Sequence, residues 1–336
     1  LKKELKVLKK KFGNKRRTHL IEGGDQLLAE KAASQRPNTE LQRMNAFKAL
    51  QSDGKLIIQD NHQVKILSPQ SIGKLHLTES IELGENPSPT RLLLPIAEAP
   101  KIIAITNNGR VGIMRWEFAG QQPGPIEKFL PNGLDSNQIA ELIPIHQNKN
   151  LSLGLLSSDG RFKRIALEEV LDLSGRASTI LKMKNNIKLT TAVLCEEKGY
   201  LILVTNLSRL LKLPINEETI PVKRKIAQGP ILIKLFPEES IIGAVTQTDE
   251  KNGSIILSTQ NGKIYKIKTS AIKMSNKGDL GQIYLNYQDI HNDEQTIISI
   301  SNGNGIIGLV SSNNRYGRIK TDDLEESSLQ KHALNR

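Results

Sequence analysis

From about Lys55 onward the hydrophobic positions come in short runs, each broken by a cluster of Asn, Asp, Gly or Ser. Runs of this kind predict β-strands, because a helix would need apolar positions at i, i+3 and i+4 sustained over several turns. The runs also repeat. Ile102-Ile-Ala-Ile-Thr-Asn-Asn-Gly109-Arg, Leu153-Gly-Leu-Leu-Ser-Ser-Asp-Gly160-Arg, Leu201-Ile-Leu-Val-Thr-Asn-Leu-Ser208-Arg and Ile255-Ile-Leu-Ser-Thr-Gln-Asn-Gly262-Lys align as copies. Weaker copies end at His62-Gln63 and Asn314-Arg315, so the turn position falls at 62, 109, 160, 208, 262 and 314, at intervals of 47, 51, 48, 54 and 52. A period near fifty with a hairpin turn in each unit predicts propeller blades, and six copies predict six. Within one unit Ile231–Phe236, Ile241–Thr246, Gly253–Ser258 and Lys263–Lys268 read as four strands, the usual number per blade. The expected fold is an all-β, six-bladed β-propeller with four-stranded blades over residues 51–336.

Upstream the pattern differs. Leu1, Leu5, Leu8 and Phe12 lie on one helical stripe and Gly13 is placed to stop it, so residues 1–13 are expected to be a short N-terminal helix end. Residues 14–50 show no sustained period and carry Gly23-Gly24 and Arg36-Pro37. They are expected to be a basic connecting segment, with a short helix around Asp25–Ala33.

Composition agrees with β-structure. Hydrophobic residues make up 38% and aromatics 4%, which leaves Ile, Leu and Val to build the core. The single tryptophan, Trp116, cannot supply a Trp-Asp pair per blade, and no Gly-Gly pair recurs, which argues against WD40 and kelch repeats. No stretch approaches the roughly 18 apolar residues of a membrane span. The expectation is a cytoplasmic chain with no membrane partner. Cys195 stands alone, so neither an internal disulfide nor a cysteine-rich zinc site is available.

Charge sharpens the picture only when it is placed. The net charge is +12, but residues 1–50 hold thirteen Lys/Arg against five Asp/Glu, leaving 34 against 30 for the rest. In the repeats the residue after the turn is Gln63, Arg110, Arg161, Arg209, Lys263 or Arg315, and three positions further on stand Ile66, Ile113, Arg164, Lys212, Lys266 and Arg318. Radial repetition would turn these registers into a cationic band, the two registers facing opposite sides of a strand. Acidic pairs fall elsewhere, at Glu168-Glu169, Glu217-Glu218, Glu238-Glu239, Asp249-Glu250 and Asp293-Glu294. Further basic loops stand at Lys182-Met-Lys184, Lys223-Arg224-Lys225 and Lys273–Lys277. Spaced cations with few aromatics suit phosphates of duplex DNA better than stacked single strands. The alternative is a propeller scaffold that binds an acidic protein. The six histidines are scattered without metal-ligand spacing, and no phosphate-binding loop or nucleophile elbow occurs, so no active site and no cofactor are expected in this chain.

The segment Lys-Phe-Gly-Asn-Lys-Arg-Arg-Thr at 11–18 resembles the Tyr/Phe-Gly-Asp-x-Arg-Arg-Thr motif of the A subunits of bacterial-type DNA gyrase and topoisomerase IV. Blades carrying Gly turn, Arg and x-Lys-Arg, as in Asp159-Gly-Arg-Phe-Lys-Arg164, resemble the β-pinwheel repeats of that family's C-terminal region. The resemblance implies a non-catalytic domain that binds and bends or wraps double-stranded DNA. The expected contacts are Arg110, Arg161, Lys163, Arg164, Arg209, Lys212, Lys223, Arg224, Lys225, Lys263, Lys266, Arg315 and Arg318. In the gyrase members a Gln-Arg-Arg-Gly-Gly-Lys-Gly box follows the first hairpin, and here Ser68–Leu75 keeps only Gln70, Gly73 and Lys74 of it. The family's cleaving tyrosine lies upstream of this chain's start, so none of Tyr200, Tyr265, Tyr284, Tyr287 and Tyr316 takes that role. The implied partners are the remainder of the topoisomerase polypeptide and an ATPase B subunit, in an A2B2 holoenzyme where ATP and Mg2+ would act.

Overall fold

The computed structural model describes residues 55–67, 81–82, 90–96, 101–145, 150–173, 175–184, 186–284, 296–310 and 315–327. They belong to one compact unit, Lys55–Arg336. The expected helix end at 1–13, the connecting segment 14–50 and the Gln70, Gly73, Lys74 box lie outside the described residues.

Each of the six repeats folds as an antiparallel hairpin. The strand pairs are Lys55–Gln59 with Gln63–Leu67, Lys101–Thr106 with Arg110–Met114, Leu151–Ser157 with Phe162–Ala166, Tyr200–Thr205 with Arg209–Pro214, Ser254–Thr259 with Ile264–Lys268, and Ile306–Val310 with Arg315–Lys320. The turn chemistry explains why the sequence copies align. A buried Thr106, Ser157, Thr205 or Thr259 opens the turn. Its carbonyl accepts from the N–H of Gly109, Gly160, Ser208 or Gly262, each at 3.0 Å. The hydroxyls of Thr106, Thr205 and Thr259 accept the amide of the basic residue that follows. This is a three-residue loop closing on a left-handed residue, with φ between 60° and 84° at 109, 160, 208 and 262. At Gly109 and Gly160 a side chain is excluded twice over, because a Cβ would also press on the carbonyl oxygens of Leu181 and Ile233.

The hairpins are completed by strands from later in the chain. The segment leading into the next hairpin pairs with the first strand: Thr90–Pro95, Ile139–Ile145, Leu189–Glu196, Ile241–Gln247 and Ile297–Asn302 serve hairpins one to five. A two-residue piece from beyond that next hairpin then caps the second strand. Gly124–Pro125 caps the first hairpin, Ser178–Thr179 the second and Gln282–Ile283 the fourth. A single bridge between Arg161 and Ile231 does so for the third. Ile81–Glu82, just after the first hairpin, pairs with Arg315 and Tyr316 of the last one.

The result is an all-β, propeller-like fold, and it corrects two expectations. Among the described residues five blades, not six, hold a hairpin with its inner strand; the sheet of the last hairpin lacks that strand. The reason is topological: the inner strand is always donated by the lead-in to the following hairpin, and the described residues contain no such lead-in for the last one. Sheets have three or four strands rather than uniformly four. Ile231–Phe236 does not form a strand, since only Ile231 and Ile233 make isolated bridges there. Helix is scarce among the described residues: one α-helix, Leu167–Leu171, and a few 3-10 turns.

The core lies between consecutive sheets. Leu201 and Leu203 pack toward the third hairpin with Leu156, Phe162 and Cys195, whereas Ile202 and Val204 pack toward the fifth with Ile255, Leu257 and Ile267. Alternate side chains of one strand therefore fill two different interfaces, which is why the strands read as unbroken apolar runs. Burial pushes the Cys195 thiol up to about 12, as for a packing residue.

Candidate nucleic-acid interface

The repeat geometry sends the basic residues to three different places. The residue after each turn sits beside the short outer strand: Arg110 pairs with Thr179, Arg161 with Ile231, and Arg209 with Ile283. Arg110 is half-buried against Gly133. Arg161 bridges to Asp159 at 3.2 Å and donates to the Gly229 carbonyl at 3.2 Å. Arg209 is fully enclosed: it pairs with Glu239, donates to the carbonyls of Leu280 and Lys234, and stacks over the Phe236 ring at 4.3 Å. Only Lys263 of the described set is exposed.

The second register works as a set of staples between blades. Arg164 donates to Ser152 at 3.1 Å and pairs with Glu197 and Glu217. Lys212 reaches Glu250 at 2.7 Å and the Thr269 carbonyl at 3.0 Å, with its ammonium 4.7 Å above the Tyr200 ring. That ammonium bond is the main reason the Glu250 carboxyl lies below its usual value, and the Glu250 bond in turn raises the Tyr200 hydroxyl. Lys266 donates to the carbonyls of Thr321 and Leu324. Each staple reaches the segment just beyond the following hairpin, at Glu217, Thr269 and Thr321, while Glu197 and Glu250 stand in the turns that lead into that hairpin. Lys163 donates to the Ile180 carbonyl at 2.5 Å, and burial pushes its ammonium down to about 8 against the pull of Glu169.

This corrects the expected cationic band. Lys163, Arg164, Arg209 and Lys212 are essentially inaccessible; the last three pair with carboxylates and Lys163 donates to a backbone carbonyl. A cation flanking a hairpin turn looks the same in sequence whether it meets solvent or the neighbouring blade. Arg315 and Arg318 lie on the second strand of the last hairpin, and their side chains are outside the described residues.

The exposed cations lie instead in the loops that cross the outer edges of the blades. Lys182, Lys184 and Lys188 follow the outer strand of the second sheet; Lys223, Arg224 and Lys225 precede that of the third; Lys273 and Lys277 precede that of the fourth; all are exposed. Backbone contacts set these loops side by side. Parallel bridges join Leu181 to Ile226 and Ile233 to Asp279, and others tie Val222 to Arg164 and Met274 to Lys212. Gln228 donates to the Lys182 carbonyl at 3.3 Å and Lys277 to that of Glu218 at 3.4 Å. Sequence reading missed Lys128 and Lys234 and the relation that joins them to Lys182. These three stand three residues beyond Pro125, Thr179 and Ile231, the outer-strand partners of Gln63, Arg110 and Arg161. All three are exposed. No constant interval links them to the turns, so periodicity could not have found them.

Other acids, Glu168, Glu217, Glu218, Asp249, Asp322 and Asp323, are exposed at the strand ends remote from the hairpin turns, while Glu127, Glu238 and Asp279 are exposed near the loop cations. An outer edge rich in cations beside an acidic end face is suited to a polyanion running along the edge.

The family described as the DNA gyrase C-terminal domain, a β-propeller, matches this chain at residues 155–196, 199–247 and 253–304. The first matched stretch begins within a hairpin and the other two one residue before one, and each ends near the inner strand that completes it. The A subunit of a DNA topoisomerase 4 from Synechocystis sp. is 24% identical over 158 residues, taking in 44% of this chain and 17% of that protein. Among solved structures, the C-terminal domain of a DNA topoisomerase IV superposes with a TM-score of 0.64 at 18% identity, covering 82% of this chain and 86% of that one. A DNA gyrase A C-terminal domain gives 0.66 at 15% identity, covering 82% and 92%. With its hairpin repeats, exchanged outer strands and three matched repeat stretches, the chain is similar in fold and in repeat sequence to the C-terminal domains of the gyrase and topoisomerase IV A subunits.

Proposed function

We propose that this chain holds duplex DNA by its phosphates along the outer loops and bends it, as a non-catalytic part of a type IIA topoisomerase. The observation that carries this reading is the run of exposed cations in three consecutive loops, Lys182–Lys188, Lys223–Lys225 and Lys273–Lys277, joined by backbone bridges. Phosphate contact needs spaced, solvated Lys and Arg rather than a shaped pocket, and it carries no base sequence. Cationic loops set side by side on successive blades would favour a bent duplex, because bending lets more phosphates meet the protein. The working set is Lys223, Arg224, Lys225 and Lys263 from the expected contacts, joined by Lys128, Lys182, Lys184, Lys188, Lys234, Lys273 and Lys277.

In the same reading residues 1–13 continue a helix of the topoisomerase core, 14–50 connect it to the repeats, and an ATPase B subunit completes an A2B2 enzyme in the cytoplasm. This chain would need no cofactor, ATP and Mg2+ being used by the assembled enzyme. The test is fluorescence anisotropy on a random-sequence duplex across a salt series. Binding should fall steeply with salt, with a log–log slope of about −0.9 per phosphate contacted. A chain that stays unbound at low salt but captures an acidic protein would overturn the reading in favour of a scaffold.

A further inference from the structure

Ile226 occupies a backbone position that does not suit it. Its φ is 71°, and it is the only β-branched residue in the left-handed region among the described residues. The residue is 57% exposed, so no core packing offsets that geometry. The next repeat shows the unstrained solution. There Gly278, at φ 82°, donates its N–H to the Leu232 carbonyl at 2.7 Å, just as Ile226 donates to the Ile180 carbonyl at 3.2 Å. Ile180 and Leu232 are equivalent, each directly following the outer-strand partner of a hairpin arginine, Thr179 for Arg110 and Ile231 for Arg161. One repeat thus puts glycine at this place and the other a branched apolar side chain aimed outward. That side chain directly follows Lys223, Arg224 and Lys225 and lies beside the Lys182 loop.

We infer that Ile226 is a wedge that enters the minor groove of the bound duplex and partly unstacks one base step, while the cations around it hold the flanking phosphates. Strained residues persist where function requires them, and an apolar side chain between base pairs is an established way for a protein to kink DNA. Pyrimidine–purine steps, which unstack most readily, are the expected points of entry. The inference rests on the proposed DNA-binding reading.

The test uses the whole chain and a duplex carrying 2-aminopurine at TA steps, whose fluorescence rises when the base unstacks. Wild type and Ile226→Met, which keeps an apolar side chain, should raise the fluorescence on binding. Ile226→Asn should lose the rise while keeping the salt slope of binding, because its lysines are untouched. Since Asn tolerates the left-handed region, its unfolding equilibrium constant should also fall about tenfold. A merely structural role for Ile226 would not separate Met from Asn in this way. A full fluorescence rise with Ile226→Asn overturns the wedge, as does a wild type that binds silently. A wild type that fails to bind duplex at low salt overturns the DNA-binding reading as well.

Discussion

Replacing Arg209 should act on folding rather than on DNA, because its side chain and that of its partner Glu239 are both fully inaccessible. Arg209→Ala would leave the Glu239 carboxylate buried with only the Phe236 amide, at 2.9 Å, and would strip a donor from the carbonyls of Leu280 and Lys234. Removing one member of a buried pair costs about 3–5 kcal/mol. At roughly 2–3 °C per kcal/mol for a unit of this size, the melting midpoint should drop by about 6–15 °C. Lys263→Ala, at an exposed position of the same register, should stay within about 0.5 kcal/mol of wild type. The double variant Arg209→Met with Glu239→Leu removes both charges and should recover most of the loss. Circular dichroism melts of the four proteins give the comparison, and anisotropy on the folded double variant should return the wild-type salt slope. An unchanged midpoint in Arg209→Ala, or a double variant that folds but loses salt slope, would refute the assignment of Arg209 to inter-segment packing.

Other outcomes follow from the same geometry. Gly109→Ala and Gly160→Ala should each cost several times as much stability as Gly262→Ala, because only the first two meet a neighbouring carbonyl; urea titration of the three variants ranks them. Reversing Lys223, Arg224 and Lys225 to Glu should reduce the salt slope of DNA binding by roughly three contacts' worth without shifting the melting midpoint, as anisotropy and melts together would show. The depressed Lys163 ammonium means that the unfolded chain holds more protons than the folded one between pH 8 and its ordinary value of 10.5. Stability relative to Lys163→Met should therefore rise as pH increases through that window, measured by urea unfolding at either end. Cys195, buried with its thiol pushed up to about 12, should react with a thiol reagent only on unfolding.

Much of the fold could be read because hairpin turns depend on local chemistry. The left-handed position and its preceding Thr or Ser recur at fixed offsets, so Gly109, Gly160, Ser208 and Gly262 identified the repeats. The outer strands could not be read this way. Ser178–Thr179 and Gln282–Ile283 are two residues long and pair with hairpins far back in the chain, leaving no periodicity behind. That same exchange determines which cations are buried. Arg161 and Arg209 occupy one register and both read as surface cations, yet Arg209 meets Glu239 inside the protein while Arg161 pairs with the partly exposed Asp159. The basic loops at 182–184, 223–225 and 273–277 were visible as charge, but nothing in the sequence said that they run side by side.

The claim that the outer loops carry the DNA is tested most directly by ring closure of a short linear duplex under ligase. The account predicts that wild type accelerates closure, that reversing Lys182, Lys184, Lys223, Arg224 and Lys225 to Glu abolishes the acceleration, and that the Arg209→Met, Glu239→Leu protein retains it. Undiminished closure with the outer-loop variant, together with loss of closure in the buried-pair variant, would contradict it.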